Sequence, residues 1–310
     1  MRLSGWVWGL AFFFSACTSA PPASDAGSDG ASDLDAGVVD AFVARRDAGP
    51  HFDLGTTARP APVVLPMAYD GTTRLPLIIL LHADGVTGLV TSTYLHVGEA
   101  ARAGGAYVAM PTGTADSHGF LVWNDGITTT NAVDDVAYLS SVLDHALAML
   151  PVDTSRVYFV GHANGGFMAY RMACEESARV AGIAAVSGGD FPTPSPCTPS
   201  RPVSVLDVHG TLDAVASFDG VFGVYAGSVE ATQRWAQIAS CNLSTAHMPA
   251  PFDMDGTVAG NETTATDYID GCTGARVSLY SMAGSGHIPA FSVAAGQDIV
   301  DWLLARSAAP

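Results

Sequence analysis

Gly161-His162-Ala163-Asn164-Gly165-Gly166 is the stretch that decides how this 310-residue chain folds. Before it runs Arg156-Val157-Tyr158-Phe159-Val160, a β-branched and aromatic segment that predicts a buried strand. After it, residues 167–176 are rich in helix formers and predict a helix. Strand, tight Gly-x-x-x-Gly turn and helix together make the frame of a nucleophile elbow, whose glycines permit the strained turn that lifts the middle side chain off the sheet. The middle residue here is Ala163, and a methyl group cannot attack a carbonyl.

Outward from the elbow, strands and helices alternate. Leu77-Ile78-Ile79-Leu80-Leu81 is an uninterrupted apolar run, as expected of a central strand covered on both faces. Further strands are predicted at 106–110, 181–186, 203–208 and 277–282. Val133, Val136, Leu139, Val142, Leu143 and Leu147 recur at helical spacing, and Asp134 and Asp135 fall in that helix's first turn, where carboxylates suit the dipole. A last helix is predicted at 298–306, with Trp302 and Leu303 facing inward. This order predicts an α/β fold, a mostly parallel central sheet with helices on both faces, over residues 56–310.

The chain ends carry different information. Arg2, an apolar run at 6–14 and Ser15-Ala16-Cys17 describe a secretory signal peptide over residues 1–17. The run falls short of the roughly 20 apolar residues a spanning helix needs. Phe14-Ser15-Ala16-Cys17 resembles a bacterial lipobox, which makes Cys17 the expected lipidation site and lipid the expected means of membrane attachment. Ordinary secretion with cleavage near Ala16 or Ala20 is the alternative. Residues 18–55 are Ala, Ser, Gly and Asp with few large apolar residues, and so predict a flexible acidic linker. The chain has 13 Lys+Arg against 30 Asp+Glu, a net charge of −17, which repels phosphate backbones and argues against a nucleic-acid partner.

Besides Cys17 there are Cys174, Cys197, Cys241 and Cys272, an even number suited to an oxidising compartment. Of the three pairings, Cys174–Cys197 with Cys241–Cys272 is favoured, because each closes a local loop of similar size. The nine histidines show no metal-ligand spacing such as H-E-x-x-H, so neither a metal nor a cofactor is expected.

An elbow at Ala163 calls for an acid and then a histidine at later strand ends. Asp213 follows the 203–208 strand in His209-Gly210-Thr211-Leu212-Asp213, and His287 follows the 277–282 strand. Asp213 is the expected orienting acid and His287 the expected base. Asp219 is a rival acid, although its Phe-Asp-Gly setting reads as a turn. The expected oxyanion donors are the backbone N–H groups of Asn164 and of Ala83, in the loop His82-Ala83-Asp84-Gly85. Trp123, followed by the polar Asn124-Asp125-Gly126, is assigned to the substrate-binding rim, with core filler as the other reading.

These motifs, with Val133-Asp134-Asp135-Val136, Met168-Ala169-Tyr170-Arg171 and Ala173-Cys174-Glu175, resemble the secreted polyhydroxybutyrate depolymerase and feruloyl esterase group of α/β-hydrolases. The resemblance covers about 76–305. It implies the α/β-hydrolase fold, a small-molecule, acylated-sugar or polyester ligand, Asp213 and His287 as acid and base, and it supports the cysteine pairing. Three positions depart: Ala163 replaces the serine, His82-Ala83 replaces His-Gly, and Ile288-Pro289-Ala290-Phe291 replaces an aromatic-proline run. Loss of the nucleophile removes roughly a millionfold of turnover and leaves about 10³–10⁴ over water from the oxyanion hole and binding. The expectation is therefore an exported, monomeric, degenerate esterase. The alternatives are an active ester hydrolase using His287-activated water or a displaced nucleophile, and a surface ligand-binding or interaction protein.

Overall fold

Leu75–Leu81 forms β2, and six of its seven residues are buried, which follows from an apolar run with no polar face to turn outward. This computed structural model describes residues 52–308. The expected signal peptide, Cys17 and nearly all of the expected linker lie outside the described residues. Leu54, placed by sequence at the end of the linker, is fully enclosed in the core, and Asp53 bridges to Pro62. Packing of the domain thus begins ahead of residue 56.

Parallel to β2 lie β3 (Tyr107–Ala109) and β6 (Val152–His162), and the sheet continues through β7 (Gly182–Val186), β8 (Ser204–Gly210) and β12 (Val277–Met282). Antiparallel strands close its ends, β1 (Val63–Val64) on β3 and β11 (Thr263–Tyr268) on β12. The order across the eight strands is β1-β3-β2-β6-β7-β8-β12-β11. Two small hairpins, β4 (Thr114–Ala115) with β5 (Leu121–Val122) and β9 (Gly220–Val221) with β10 (Tyr225–Ala226), decorate the loops.

Alternate residues of β2 serve two cores. Leu77, Ile79 and Leu81 pack with α3 (Asp135–Met149), α4 (Asn164–Glu175) and α5 (Ser228–Ile238), through Leu139, Met168 and Trp235. Ile78 and Leu80 pack on the opposite face with α1 (Gly88–Leu95), α2 (Val97–Ala103) and α6 (Val293–Leu304), through Leu95, Ala101 and Ile299. The period-2 alternation of a strand is what lets one apolar run fill both layers. No described helix is long and apolar enough to cross a membrane.

Two sequence readings shift. The last helix starts at Val293 rather than 298, because Ser292 caps it by accepting from the Ala295 N–H. Gly296 lies in that extra turn, where an added Cβ would meet the Leu95 carbonyl at 2.5 Å. Asp135 is not a solvated dipole partner; it is fully buried and paired with Arg59, while Asp134 caps the helix on the Ala137 N–H. Both disulfides form as expected, Cys174–Cys197 and Cys241–Cys272, with separations of 23 and 31 residues. Each contributes about 3–4 kcal/mol by restricting the unfolded chain.

Candidate active site

At the end of β6 the chain turns through Ala163 at φ 52° and ψ −121° and enters α4. A non-glycine residue there costs on the order of 1–3 kcal/mol, so the surroundings must impose it. They do so through close backbone packing. A Cβ on Gly161 would meet the Gly165 carbonyl at 2.1 Å, and one on Gly165 would meet the Leu81 carbonyl at 2.4 Å. The Ala163 N–H donates to the Val186 carbonyl at 2.9 Å, and the Ala163 carbonyl accepts from Gly166 and Phe167 as the helix begins. The elbow backbone is complete, and Ala163 stands where its middle side chain emerges.

The Asn164 side chain anchors the turn from behind. Its Oδ1 accepts from the Trp123 N–H at 2.6 Å, and its Nδ2 donates to the Trp123 carbonyl at 2.9 Å and to Asp125 Oδ2 at 2.7 Å. Trp123 is fully buried, and its indole N–H donates to the His82 carbonyl at 3.0 Å. This corrects the substrate-binding assignment: Trp123 does not line the cleft but braces the elbow against the β2 loop. Asn124, Asp125 and Gly126 do not line the cleft either; Thr128 and Thr129, further along the same loop, stand on its wall.

β8 and β12 are parallel neighbours, so the loops beyond their ends bring Asp213 and His287 together. His287 Nδ1 donates to Asp213 Oδ2 at 2.8 Å, leaving Nε2 without a hydrogen-bond partner among the described residues on a ring that lines the cleft. Asp213 Oδ1 accepts from the Val215 and Ala216 N–H groups at 2.8 and 2.9 Å. Burial would raise this carboxyl, but hydrogen bonds from His209 and His287 outweigh it and hold Asp213 well below the ordinary range. Asp219, the rival acid, makes no contact with His287; its backbone lies against Gly227.

Two further histidines, given no role by the sequence pattern, complete this corner. His209 Nε2 lies 3.2 Å from Asp213 Oδ2 and donates to the Ala216 carbonyl at 2.7 Å. Burial lowers its imidazole, yet the Asp207 and Asp213 carboxylates more than offset this and hold it up at about 10. Asp213 therefore serves two imidazoles. His162 lines the cleft and donates its Nε2–H to the His287 carbonyl at 3.0 Å. Burial lowers it to about 4, so at neutral pH it is an uncharged prop for the His287 loop.

In the oxyanion loop the expected Ala83 donor has a partner within the protein. His82 is buried; its Nε2 accepts from the Gly113 N–H at 2.9 Å, so Nδ1 carries the proton and donates to the Ala83 carbonyl at 2.8 Å. The Ala83 N–H is already engaged, donating to Thr91 Oγ1 at 3.3 Å. The next amide, that of Asp84, has no hydrogen-bond partner among the described residues, and Asp84 and Asn164 both line the cleft. Only a count of where each loop amide goes could have identified it.

Ala163, Asn164, Asp84 and His287 open onto a cleft of about 730 Å³, walled by Val86, Val90, Tyr94, Phe167, Tyr225 and Ile288. It suits an apolar acyl or aryl group held near a few polar atoms. Among the described residues no group of three or more His, Cys, Asp or Glu is placed to hold a metal ion.

No protein-family model matches the chain. Among curated proteins, 236 residues are 29% identical to the "Putative esterase NocK" of Nocardia uniformis, covering 71% of this chain and 66% of that protein. Feruloyl esterase B of Piromyces equi is 26% identical over 73% of this chain, and feruloyl esterase D of Neurospora crassa is 26% identical over 73% of each. The chain spans under two thirds of the length of the first two of these relatives, 66% and 42%. Among solved structures, acetyl xylan esterase from Aspergillus awamori superposes with a TM-score of 0.57 over 82% of this chain and 100% of its own, at 14% identity. A thermostable esterase superposes with a TM-score of 0.55 over 83% and 63%, also at 14%. The chain has the α/β-hydrolase fold, and its homologues are esterases, feruloyl esterases among them.

Proposed function

We propose that this protein is an esterase-derived α/β-hydrolase that binds an ester-type ligand in its cleft and lacks serine-nucleophile turnover. The observation that carries this reading is Ala163, held at φ 52° on an intact elbow beside the His287–Asp213 pair. An orienting acid and an imidazole with a free Nε2 are the parts that would activate a serine hydroxyl, and the hydroxyl is what this chain omits. The aromatic wall of Tyr94, Phe167 and Tyr225 favours an aryl or acyl group, and the names of the relatives suggest an acylated sugar as its carrier. Export with Cys17 as a lipid anchor and 18–55 as a tether would place the cleft at the cell envelope, in keeping with the two disulfides.

The test is hydrolysis of p-nitrophenyl acetate and methyl ferulate by the protein and by His287→Ala. Rates at the buffer background in both support the reading. Robust turnover that disappears in His287→Ala would instead establish the water-activated route, in which the free Nε2 deprotonates a water over the Ala163 methyl.

A further inference from the structure

β8 carries two titratable side chains on one face, Asp207 and His209, and both are enclosed. Tyr170 of α4 donates its hydroxyl to Asp207 Oδ2 at 2.7 Å, and the Ser228 hydroxyl, at the start of α5, lies 2.8 Å from His209 Nδ1. The other Asp207 oxygen, Oδ1, is buried without a hydrogen-bond partner and lies 3.8 Å from that same Nδ1. On the far side of the ring, Nε2 faces acceptors: the Ala216 carbonyl at 2.7 Å and Asp213 Oδ2 at 3.2 Å. The imidazole thus stands between two wholly buried carboxylates, one against each nitrogen. Among the described residues no cation other than His209 comes within salt-bridge range of Asp207, and only His209 and His287 do so for Asp213. A buried carboxylate left without a cation is costly, which favours two protons on the ring between them.

We propose that His209 is a positioning residue for the pair beside the elbow: as an imidazolium clamped between Asp207 and Asp213, it fixes the Asp213 oxygen that His287 uses and shares its negative charge. This deepens the reading of the cleft as an esterase-derived site and rests on it. Asp213 Oδ2 is the shared atom, 2.8 Å from His287 Nδ1 and 3.2 Å from His209 Nε2, while Oδ1 is taken by the Val215 and Ala216 N–H groups. Four N–H donors leave that carboxylate one orientation. A carboxylate that met His287 alone would lend it a whole charge and favour the imidazolium, which cannot act as a base. With His209 on the same oxygen, part of that charge is already neutralised. The titratable groups that face His209 are Asp207, Asp213, Tyr170 behind Asp207, and the rings of His287 and His162. β12 sets Ser281 opposite it in the sheet, α5 brings the Ser228 hydroxyl, and the Phe218 ring packs edge-on at 5.8 Å. Burial lowers the imidazole, but the two carboxylates outweigh it and hold the ring up at about 10, in line with the geometry.

Histidine-selective ¹⁵N NMR on the full protein tests the first half. At about pH 8 an ordinary imidazole has lost its second proton. Both His209 nitrogens, identified by their loss in His209→Gln, should still carry one, and a bare nitrogen overturns the inference. Asp207→Asn removes one clamp and serves if His209→Gln does not fold. The ring should then lose its second proton about one pH unit or more earlier, and an unchanged midpoint overturns the inference as well. The second half is read from p-nitrophenyl acetate hydrolysis between about pH 5 and 9 by Ala163→Ser and Ala163→Ser/His209→Gln. Removing the imidazolium should move the acid limb of kcat/KM up by about one pH unit. A lowered plateau with the limb in place is what a merely structural role gives, and it overturns the inference. If Ala163→Ser shows no turnover, the reading of a preserved acid–base pair fails. The inference is then decided by the His287 Nδ1–H resonance in His209→Gln. A move further downfield, as Asp213 becomes the stronger acceptor, supports it, and an unmoved signal overturns it.

Discussion

Replacing Asn164 by alanine should be among the most damaging single changes in this protein, although it removes no charge and little volume. The Asn164 amide is 3% exposed and binds the Trp123 backbone on both sides, at 2.6 Å to its N–H and 2.9 Å to its carbonyl, as well as Asp125 at 2.7 Å. Truncation leaves the Trp123 N–H and carbonyl buried without those partners. Asp125 is less affected, because it keeps donors from Ile127, Thr128 and Thr129. Each orphaned buried group costs about 1–3 kcal/mol, so the pair comes to about 4 kcal/mol. For a domain of this size that lowers the thermal midpoint by about 8–16 °C. Asn164→Asp should not rescue it, since the new carboxylate accepts from Trp123 but faces Asp125. Differential scanning calorimetry of the wild type and both variants measures this. A loss below about 1 kcal/mol for Asn164→Ala would refute the view that this amide ties the elbow to the Trp123 segment.

Other outcomes follow from the same structure. His209 is held up at about 10 against an ordinary 6.5, so its contribution is complete below about pH 6.5 and is lost as the pH rises through 10. Urea midpoints should therefore fall from pH 7 to 10 and fall less in His209→Gln; parallel slopes would show that His209 is not the group responsible. Arg59→Met leaves the fully buried Asp135 carboxylate without its cation and removes a guanidinium 3.6 Å over the Tyr138 ring, for a loss of about 3–5 kcal/mol by chemical denaturation. A change under 1 kcal/mol would mean Asp135 is stabilised by its other partners. Cys241→Ser/Cys272→Ser should lose about 3–4 kcal/mol relative to the oxidised protein, and adding reductant should remove the difference.

The fold was legible where periodicity was strong. β2 and β7 coincide with apolar runs, as suits strands covered on both faces, while β6, β8 and β12 were readable from their β-branched, aliphatic and aromatic residues despite polar positions such as Asp207 and Ser278. The edge strand β11 escaped notice: Thr263–Tyr268 mixes threonine, aspartate and tyrosine, as a strand with one neighbour and a partly open face can. α5 was missed too, since its buried stripe is built from Ser228, Ala231, Thr232 and Trp235 rather than from large aliphatics. In the site, Asp213 and His287 were readable from strand-end position alone. Trp123 was misplaced because the polar residues after it pointed to a rim, whereas a buried indole N–H needs an acceptor and found the His82 carbonyl. The Ala83 N–H, expected free for an oxyanion, is engaged by Thr91, eight residues further along, a contact no local pattern announces. His209 and His162 carried no sequence signal that separates a structural imidazole from a catalytic one.

The central claim is that no serine of this cleft acts as a nucleophile. It is tested most directly by incubating the full-length protein with a fluorophosphonate probe and recording its intact mass, with Ala163→Ser alongside. An unchanged mass for the wild type, and an adduct mapped to position 163 in that variant, is the predicted result. An adduct on any serine of the wild-type protein would contradict the account.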